Sequence, residues 1–220
     1  MMRTRIKFCG ITRAADLQGA ITAGADAVGF VCYERSPRYV DADRLAELAR
    51  LLPPFVTPVL LFVNATDASI ARALEIVPNA LLQFHGDESP ADCARFGRPF
   101  VRAVRIDAEV DLLDCERRFE QAWALLADTP AGGYGGSGRT FDWSLLPPAE
   151  ARSKPLVLAG GLTAENVGAA MRSVRPFAVD VSSGVEDDPG IKSLDKMRRF
   201  AVAVRSADMD LQANEALRPA

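Results

Sequence analysis

The chain has 220 residues, 49% of them hydrophobic, enough for one sizeable core and suited to a single α/β domain. Its net charge of −3 is spread along the chain without basic runs, which argues against a nucleic-acid or membrane-surface partner. Met1-Met2-Arg3-Thr4-Arg5 has no apolar signal stretch behind it, and no run approaches the roughly 20 apolar residues of a membrane span, so a cytoplasmic protein is expected.

Short runs rich in β-branched and aromatic residues recur about every 20–35 residues, the size of one βα unit. The first is 5–9, followed by a helical pattern over 14–23 that stops at Gly24. Next come a strand over 27–32 and a helix over 41–52, with Asp41 or Asp43 as its cap and Pro53-Pro54 as its stop. A strand over 58–63 leads to a helix over 67–77, ended by Pro78. Strands are predicted over 80–85, 99–104 and 123–128, then over 155–159 ahead of a helix over 163–172 capped by Thr163. The eighth strand, 177–182, precedes a last helix from about Ser193 to Val204. Runs as apolar as Pro58-Val-Leu-Leu-Phe-Val63 suit parallel strands covered by helices on one side and packed in a lumen on the other. A single (βα)8 barrel over 1–205 is therefore expected, with an open doubly wound sheet as the alternative. Residues 206–220 lack an apolar period and are expected to form a frayed tail.

Barrel chemistry gathers at the C-terminal ends of the strands and in the loops that follow. Those positions hold Lys7, Cys9 and Gly10, then Arg38, Asn64, Gln83, His85, Arg102, Asp128, Gly160 and Gly161, and finally Asp180, Ser182, Ser183 and Gly184. Side chains alternate along a strand, so Lys7 shares a face with Cys9, Gln83 with His85, and Asp180 with Ser182. The helix-facing side must be apolar, which sends these residues toward the upper lumen. Leu158-Ala-Gly-Gly-Leu162 and Asp180-Val-Ser-Ser-Gly184 follow the last two strands, the usual phosphate cradle of such barrels, and imply a small phosphorylated substrate. A third Gly-rich stretch, Gly132 to Gly138, is expected to act as a mobile lid. Cys32, Cys93 and Cys115 are expected to be structural thiols. With no CxxC pair and one histidine, neither a zinc site nor disulfides are expected.

At this point a resemblance becomes specific. Lys7-Phe-Cys-Gly-Ile-Thr12, Gly24-Ala-Asp-Ala-Val-Gly-Phe30, Ser36-Pro-Arg38, Phe62-Val-Asn64, Leu82-Gln-Phe-His-Gly86, Gly136-Ser-Gly-Arg-Thr-Phe-Asp-Trp143, Leu158-Ala-Gly-Gly-Leu162 and Asp180-Val-Ser-Ser-Gly-Val-Glu186 resemble, in order, the motifs of phosphoribosylanthranilate isomerases. Phe84 stands where that family often has an aliphatic residue, and 106–121 carries no motif. The resemblance implies an Amadori rearrangement of N-(5′-phosphoribosyl)anthranilate in tryptophan biosynthesis, with no cofactor and no metal. It implies Cys9 as general base and Asp128 as general acid. It places Arg38 on the anthranilate carboxylate and Gly160, Gly161, Asp180, Ser182, Ser183 and Gly184 around the phosphate, with Lys7, Gln83 and His85 completing the substrate site. A thiol is a base only as thiolate, so a lowered pKa is expected at Cys9, aided by Lys7. A raised one is expected at Asp128, which must donate a proton. Asp180 would repel phosphate directly and is expected to pair with Lys7. A turn-capping role for Asp128 and structural roles for His85 and Arg102 stay open. A histidine-pathway isomerase would carry Asp in the place of Cys9, and indole-glycerol-phosphate synthase would need a longer N-terminal extension. A monomer is expected, with a homodimer as the alternative.

Overall fold

Alternation along each strand decides the architecture. In β1 (Arg5–Cys9), Ile6 and Phe8 join the main apolar core beneath the helices, whereas Lys7 and Cys9 take the other face. In β3 (Thr57–Phe62), Leu60 and Phe62 face the helices and Leu61 lies with Cys9 inside. A strand buried on both faces is stable only in a sheet covered on one side and closed or stacked on the other. A computed structural model, describing residues 3–129 and 140–216, resolves this as a closed barrel of eight parallel strands in chain order.

The remaining strands are β2 (Ala27–Val31), β4 (Leu81–Phe84), β5 (Phe100–Arg105), β6 (Ala124–Asp128), β7 (Leu156–Leu158) and β8 (Ala178–Val181). Closure comes from β1 pairing with β8, in a register that sets Lys7 opposite Asp180. Outside lie α1 (Ala14–Ala23), α2 (Ala42–Ala49), α3 (Asp67–Ile76), α4 (Pro90–Ala94), α5 (Leu112–Arg118), α6 (Val167–Val174) and α7 (Leu194–Ala216). Between β6 and β7 the described chain has only two 3₁₀ turns, Trp143–Leu145 and Ala149–Ala151. A short hairpin of β9 (Glu186–Asp188) and β10 (Ile191–Lys192) rises from the loop after β8.

Local chemistry sets the helix ends. Gly24 closes α1 with φ 91°, its N–H reaching Ala20 and Ile21 carbonyls. The Asp41 side chain accepts from Arg44 N and starts α2. The helix expected from Thr163 starts later, at Val167: 163–166 form a turn in which Thr163 N donates to Asn166 Oδ1, while Thr163 still caps it, its Oγ1 accepting from Glu165 N at 3.3 Å and its carbonyl from Val167 N at 3.0 Å. Phe84, the aromatic departure, is packed against Phe62 and Phe100 at centroid distances of 6.2 and 6.0 Å. That position faces the helix layer, where ring edges fill the volume an aliphatic side chain would.

The expected tail is also corrected. Helix α7 runs on to Ala216, with Ala207, Asp208 and Leu211 buried. Both oxygens of Asp208 accept from Thr4 N, at 3.2 and 3.0 Å, and Oδ1 accepts from Thr4 Oγ1 at 2.7 Å. Among the described residues no helix is long and apolar enough to cross a membrane. The expectation of a lid over Gly132 to Gly138 falls outside the described residues.

Candidate active site

Two cavities lie at opposite ends of the lumen. The roomier, about 580 Å³, opens among strand starts such as Arg5, Ala27, Thr57 and Ala178, and its lining is largely apolar. The other, about 80 Å³, lies among strand ends and the loops that follow, where Cys9, Arg38, His85, Asp128, Gly160, Asp180 and Ser183 converge. Convergent polar groups, not volume, mark the site.

Lys7 lies beneath this pocket. Its Nζ donates to Asp180 Oδ2 at 2.8 Å, with both side chains nearly buried. Burial works against the ammonium, but Asp180 and Cys9 outweigh it and its pKa rises. Lys7 thus pairs with Asp180 as expected, and this bond uses one of its three N–H donors. Asp180 Oδ1 is buried with no hydrogen-bond partner among the described residues. Cys9 sits next to Lys7 and is buried. Burial pushes the thiol pKa up, Lys7 pulls it down, and Asp180 pushes it up again, so the net shift is upward. The expected lowering is therefore corrected: a lysine already neutralised by a carboxylate cannot offset burial.

Asp128, at the end of β6, has its pKa pushed up by burial, with Asp180 adding to the rise, to about 6. Its Oδ1 accepts from Thr129 N at 2.8 Å, which opposes the shift without cancelling it. Near neutrality a real fraction of this carboxyl holds its proton. His85 is held down to about 3 by burial, with Lys7, Arg102 and Arg105 adding to it, and so is neutral. The Gln83 amide lies 2.5 Å from His85 Nε2, and Gln83 itself is fully buried.

Gly160 and Gly161 both have left-handed backbones, φ 82° and 63°, and a Cβ on Gly160 would strike Thr129. A Cβ on Gly184 would strike the Leu162 carbonyl, so the loops after β7 and β8 abut there. Asn166 Nδ2 pins the Gly161 carbonyl at 2.9 Å. The N–H groups of Gly160, Gly161, Ser183 and Gly184 donate to nothing among the described residues. Four unpartnered N–H groups from two adjoining loops are the kind of donor set that can receive an anion.

Arg38 reaches the rim from the loop after β2. Its Nε and Nη2 donate to Glu186 Oε1 and Oε2 at 2.8 and 2.6 Å, and its stem packs over Gly10. Arg102 turns elsewhere, donating to Glu88 at 2.8 Å and the Gly86 carbonyl at 2.6 Å, and braces the loop after β4. Asn64, at φ 49°, accepts from Asp87 N at 2.6 Å and shapes the loop after β3.

Residues 6–203 match the family model for N-(5'phosphoribosyl)anthranilate (PRA) isomerase. The chain belongs to the phosphoribosylanthranilate isomerase family. It is 55% identical to N-(5'-phosphoribosyl)anthranilate isomerase of Methylibium petroleiphilum, over 97% of this chain and 100% of that protein. The phosphoribosyl anthranilate isomerase of Thermotoga maritima is 40% identical, with a TM-score of 0.84 over 92% of this chain and 99% of that one. A further solved member, in complex with reduced 1-(o-carboxyphenylamino)-1-deoxyribulose 5-phosphate, is 38% identical with a TM-score of 0.82, over 92% of this chain and 99% of that one.

Three residues of this family member's site were not among the sequence candidates. Gly29 on β2 leaves room for Cys9: a Cβ there would lie 2.7 Å from Cys9 Sγ and 3.2 Å from Lys7 Nζ. A glycine inside an apolar strand signals such close approach, and could have been read. Glu186 and Lys192 form a buried pair, Nζ to Oε1 at 2.7 Å. Glu186 ended a quoted motif, but nothing local to the short hairpin announces that Lys192 is buried.

Proposed function

We propose that this chain isomerises N-(5′-phosphoribosyl)anthranilate to 1-(2-carboxyphenylamino)-1-deoxyribulose 5-phosphate, a step of tryptophan biosynthesis, with Asp128 as acid and Cys9 as base. The rearrangement needs a proton delivered to the furanose oxygen, which opens the ring to an iminium. It then needs the C2′ proton removed, giving an enolamine that becomes the ketose. The observation that carries this reading is the pair of groups in one pocket: a carboxyl whose pKa is raised to about 6, and a thiol at the end of β1, both beside an anion cradle. The free N–H groups of Gly160, Gly161, Ser183 and Gly184 receive the phosphate, and Ser182 opens the second of these loops. Asp180 keeps its charge on Lys7 and offers Oδ1 to a sugar hydroxyl, which avoids direct contact with phosphate. Arg38 takes the anthranilate carboxylate, since a guanidinium matches it with two parallel N–H donors. Gln83 and His85 line the pocket as a neutral pair.

Because the thiol titrates above the acid, the active form pairs a protonated Asp128 with a deprotonated Cys9, the scarcer arrangement of one proton between two sites. One chain supplies every group named, so the chemistry needs no second copy. The four free cysteines suit the reducing cytoplasm. Cys9, where a histidine-pathway isomerase would carry Asp, favours the anthranilate substrate. Incubating purified protein with phosphoribosylanthranilate should yield the carboxyphenylamino-deoxyribulose phosphate. Absence of that ketose, with the substrate recovered intact, would refute the reading.

A further inference from the structure

Arg38 is offered to its ligand by other groups. Glu186 engages one edge of the guanidinium through Nε and Nη2. A guanidinium carries five donors, so the Nη1/Nη2 edge keeps two parallel N–H groups, and Nη1 has no partner among the described residues. Glu186 is in turn fixed by Lys192, whose side chain is fully buried. Lys192 Nζ also donates to the Ser182 carbonyl at 3.1 Å and to Ser182 Oγ at 3.3 Å, in the loop that ends the phosphate cradle. The hairpin carrying both residues is itself anchored: Lys192 N donates to Asp16 Oδ2 at 3.2 Å, and Thr12 Oγ1 to the Gly190 carbonyl at 2.6 Å.

The charges of this cluster do not cancel. Arg38 and Lys192 bring two positive charges and Glu186 one negative, with side chains 12%, 0% and 5% exposed. A buried surplus positive charge is costly until an anion joins it, and a carboxylate on the free edge of Arg38 would bring the cluster to neutrality. The same chain of bonds fixes the span between that edge and the N–H groups of Ser183 and Gly184. An arginine held in place beforehand loses less side-chain freedom on binding than one free to swing.

We propose that Glu186, held by Lys192, is a positioning residue that aims the open edge of Arg38 at the substrate carboxylate and fixes its distance from the phosphate cradle. The inference rests on the reading of Arg38 as the carboxylate ligand, and selects aryl carboxylates carrying a phosphate at one span. Glu186 bonds to neither Cys9 nor Asp128, and its partner Lys192 is the smallest of the influences on the thiol, so its main effect falls on binding. The test measures kcat and KM for phosphoribosylanthranilate, and inhibition by inorganic phosphate, in Glu186→Gln, Arg38→Met and the double variant.

The expected result for Glu186→Gln is a KM raised by about tenfold or more, with kcat within about threefold, the signature of lost uniform binding. Phosphate inhibition should stay unchanged, which a general loosening of the site would not allow. In the Arg38→Met background the same substitution should add nothing, because it acts through Arg38. An unchanged KM in Glu186→Gln, a loss in kcat alone, or an additive double variant would overturn the proposal. If Arg38→Met itself leaves KM unchanged, the carboxylate reading falls and takes this inference with it. If Arg38→Met raises KM and Glu186→Gln does not, this inference alone fails. Should Glu186→Gln not fold, Glu186→Asp decides: it keeps the charge between the two cations but draws the guanidinium back, and must show the same KM signature.

Discussion

At the scale of single residues, the site depends on one proton placed between two groups that burial makes hard to ionise. Cys9→Ser keeps the shape and removes the only side chain at the end of β1 able to act as base, so kcat should fall by about 10² to 10³ with folding intact. A variant of near-normal kcat would refute the assignment. Asp128→Asn separates an acid from a turn cap, because asparagine can still accept from Thr129 N but cannot donate the proton. We expect kcat down by about 10² or more. The same variant should change stability in a defined direction. The folded carboxyl titrates near 6 against an ordinary value of 3.8, so the folded state holds this proton more tightly than the unfolded chain. Its stabilising contribution is complete below pH 3.8 and is lost as pH rises to about 6. Asparagine does not titrate, so the variant should match wild type in acid and exceed it by about 1–2 kcal/mol at pH 8, after discounting for partial exposure. Urea midpoints at the two pH values check this, and a variant weaker at pH 8 would contradict the desolvation account.

The two shifts together set the pH profile. With the acid near 6 and the thiol above its ordinary 9.0, the fraction carrying Asp128 protonated and Cys9 ionised is constant between them. Below about 6 the rate should fall because thiolate vanishes while no more acid is gained. Above the raised thiol pKa it should fall because acid vanishes while no more thiolate is gained. A flat kcat/KM from about pH 6 up to the raised thiol pKa, with iodoacetamide alkylation of Cys9 still climbing and not yet level at pH 9, is the expected result. Alkylation that saturates near pH 7 would mean a low-pKa thiol and sink the assignment.

At the scale of elements, strand and loop geometry keeps these groups within reach. β2 makes room for Cys9 by what it lacks. Gly29→Ala would force a methyl group to within 2.7 Å of Cys9 Sγ and 3.1 Å of Cys9 Cα, with backbone on one side unable to yield. We expect a loss of about 1–3 kcal/mol from overpacking, and a kcat lowered by about 10² from displacement of the thiol. Comparing Tm and kcat with wild type tests this; an alanine variant of full activity would show that β1 and β2 have slack. The parity expected along the strands holds in the register, where Lys7 lies opposite Asp180 and Gln83 pairs between Leu61 and Val101.

At the scale of the whole molecule, α7 seals the barrel. Arg205 Nη2 donates to the Ala23 carbonyl at 2.7 Å, and Asp208 satisfies the chain entry at Thr4. Ending the chain after Arg205 would expose the surface under Leu211 and leave Thr4 N and Oγ1 without their acceptor. Burial of one leucine and one hydrogen-bonded polar pair amounts to roughly 3–5 kcal/mol. The truncated chain should therefore show a clearly lowered urea midpoint. An unchanged midpoint would restore the view that 206–220 is a tail.

The sequence by itself determined the eight strands, the faces their side chains take and the glycine loops, while the roles proposed for Cys9 and Asp128 came from the family resemblance. These are local properties: apolar period, turn chemistry and short motifs need only neighbours in the chain. Only the tertiary structure decided the direction in which the Cys9 thiol shifts, because Lys7 meets Asp180 from 173 positions away. It alone decided that Arg38 is aimed by Glu186, 148 positions away. It alone turned the expected tail into a helix, since a segment with no apolar period stays ordered when Asp208 finds Thr4 across 204 positions. Pairwise electrostatics and buried hydrogen bonds act through space, and no pattern along the chain records which distant partner closure of the barrel will supply.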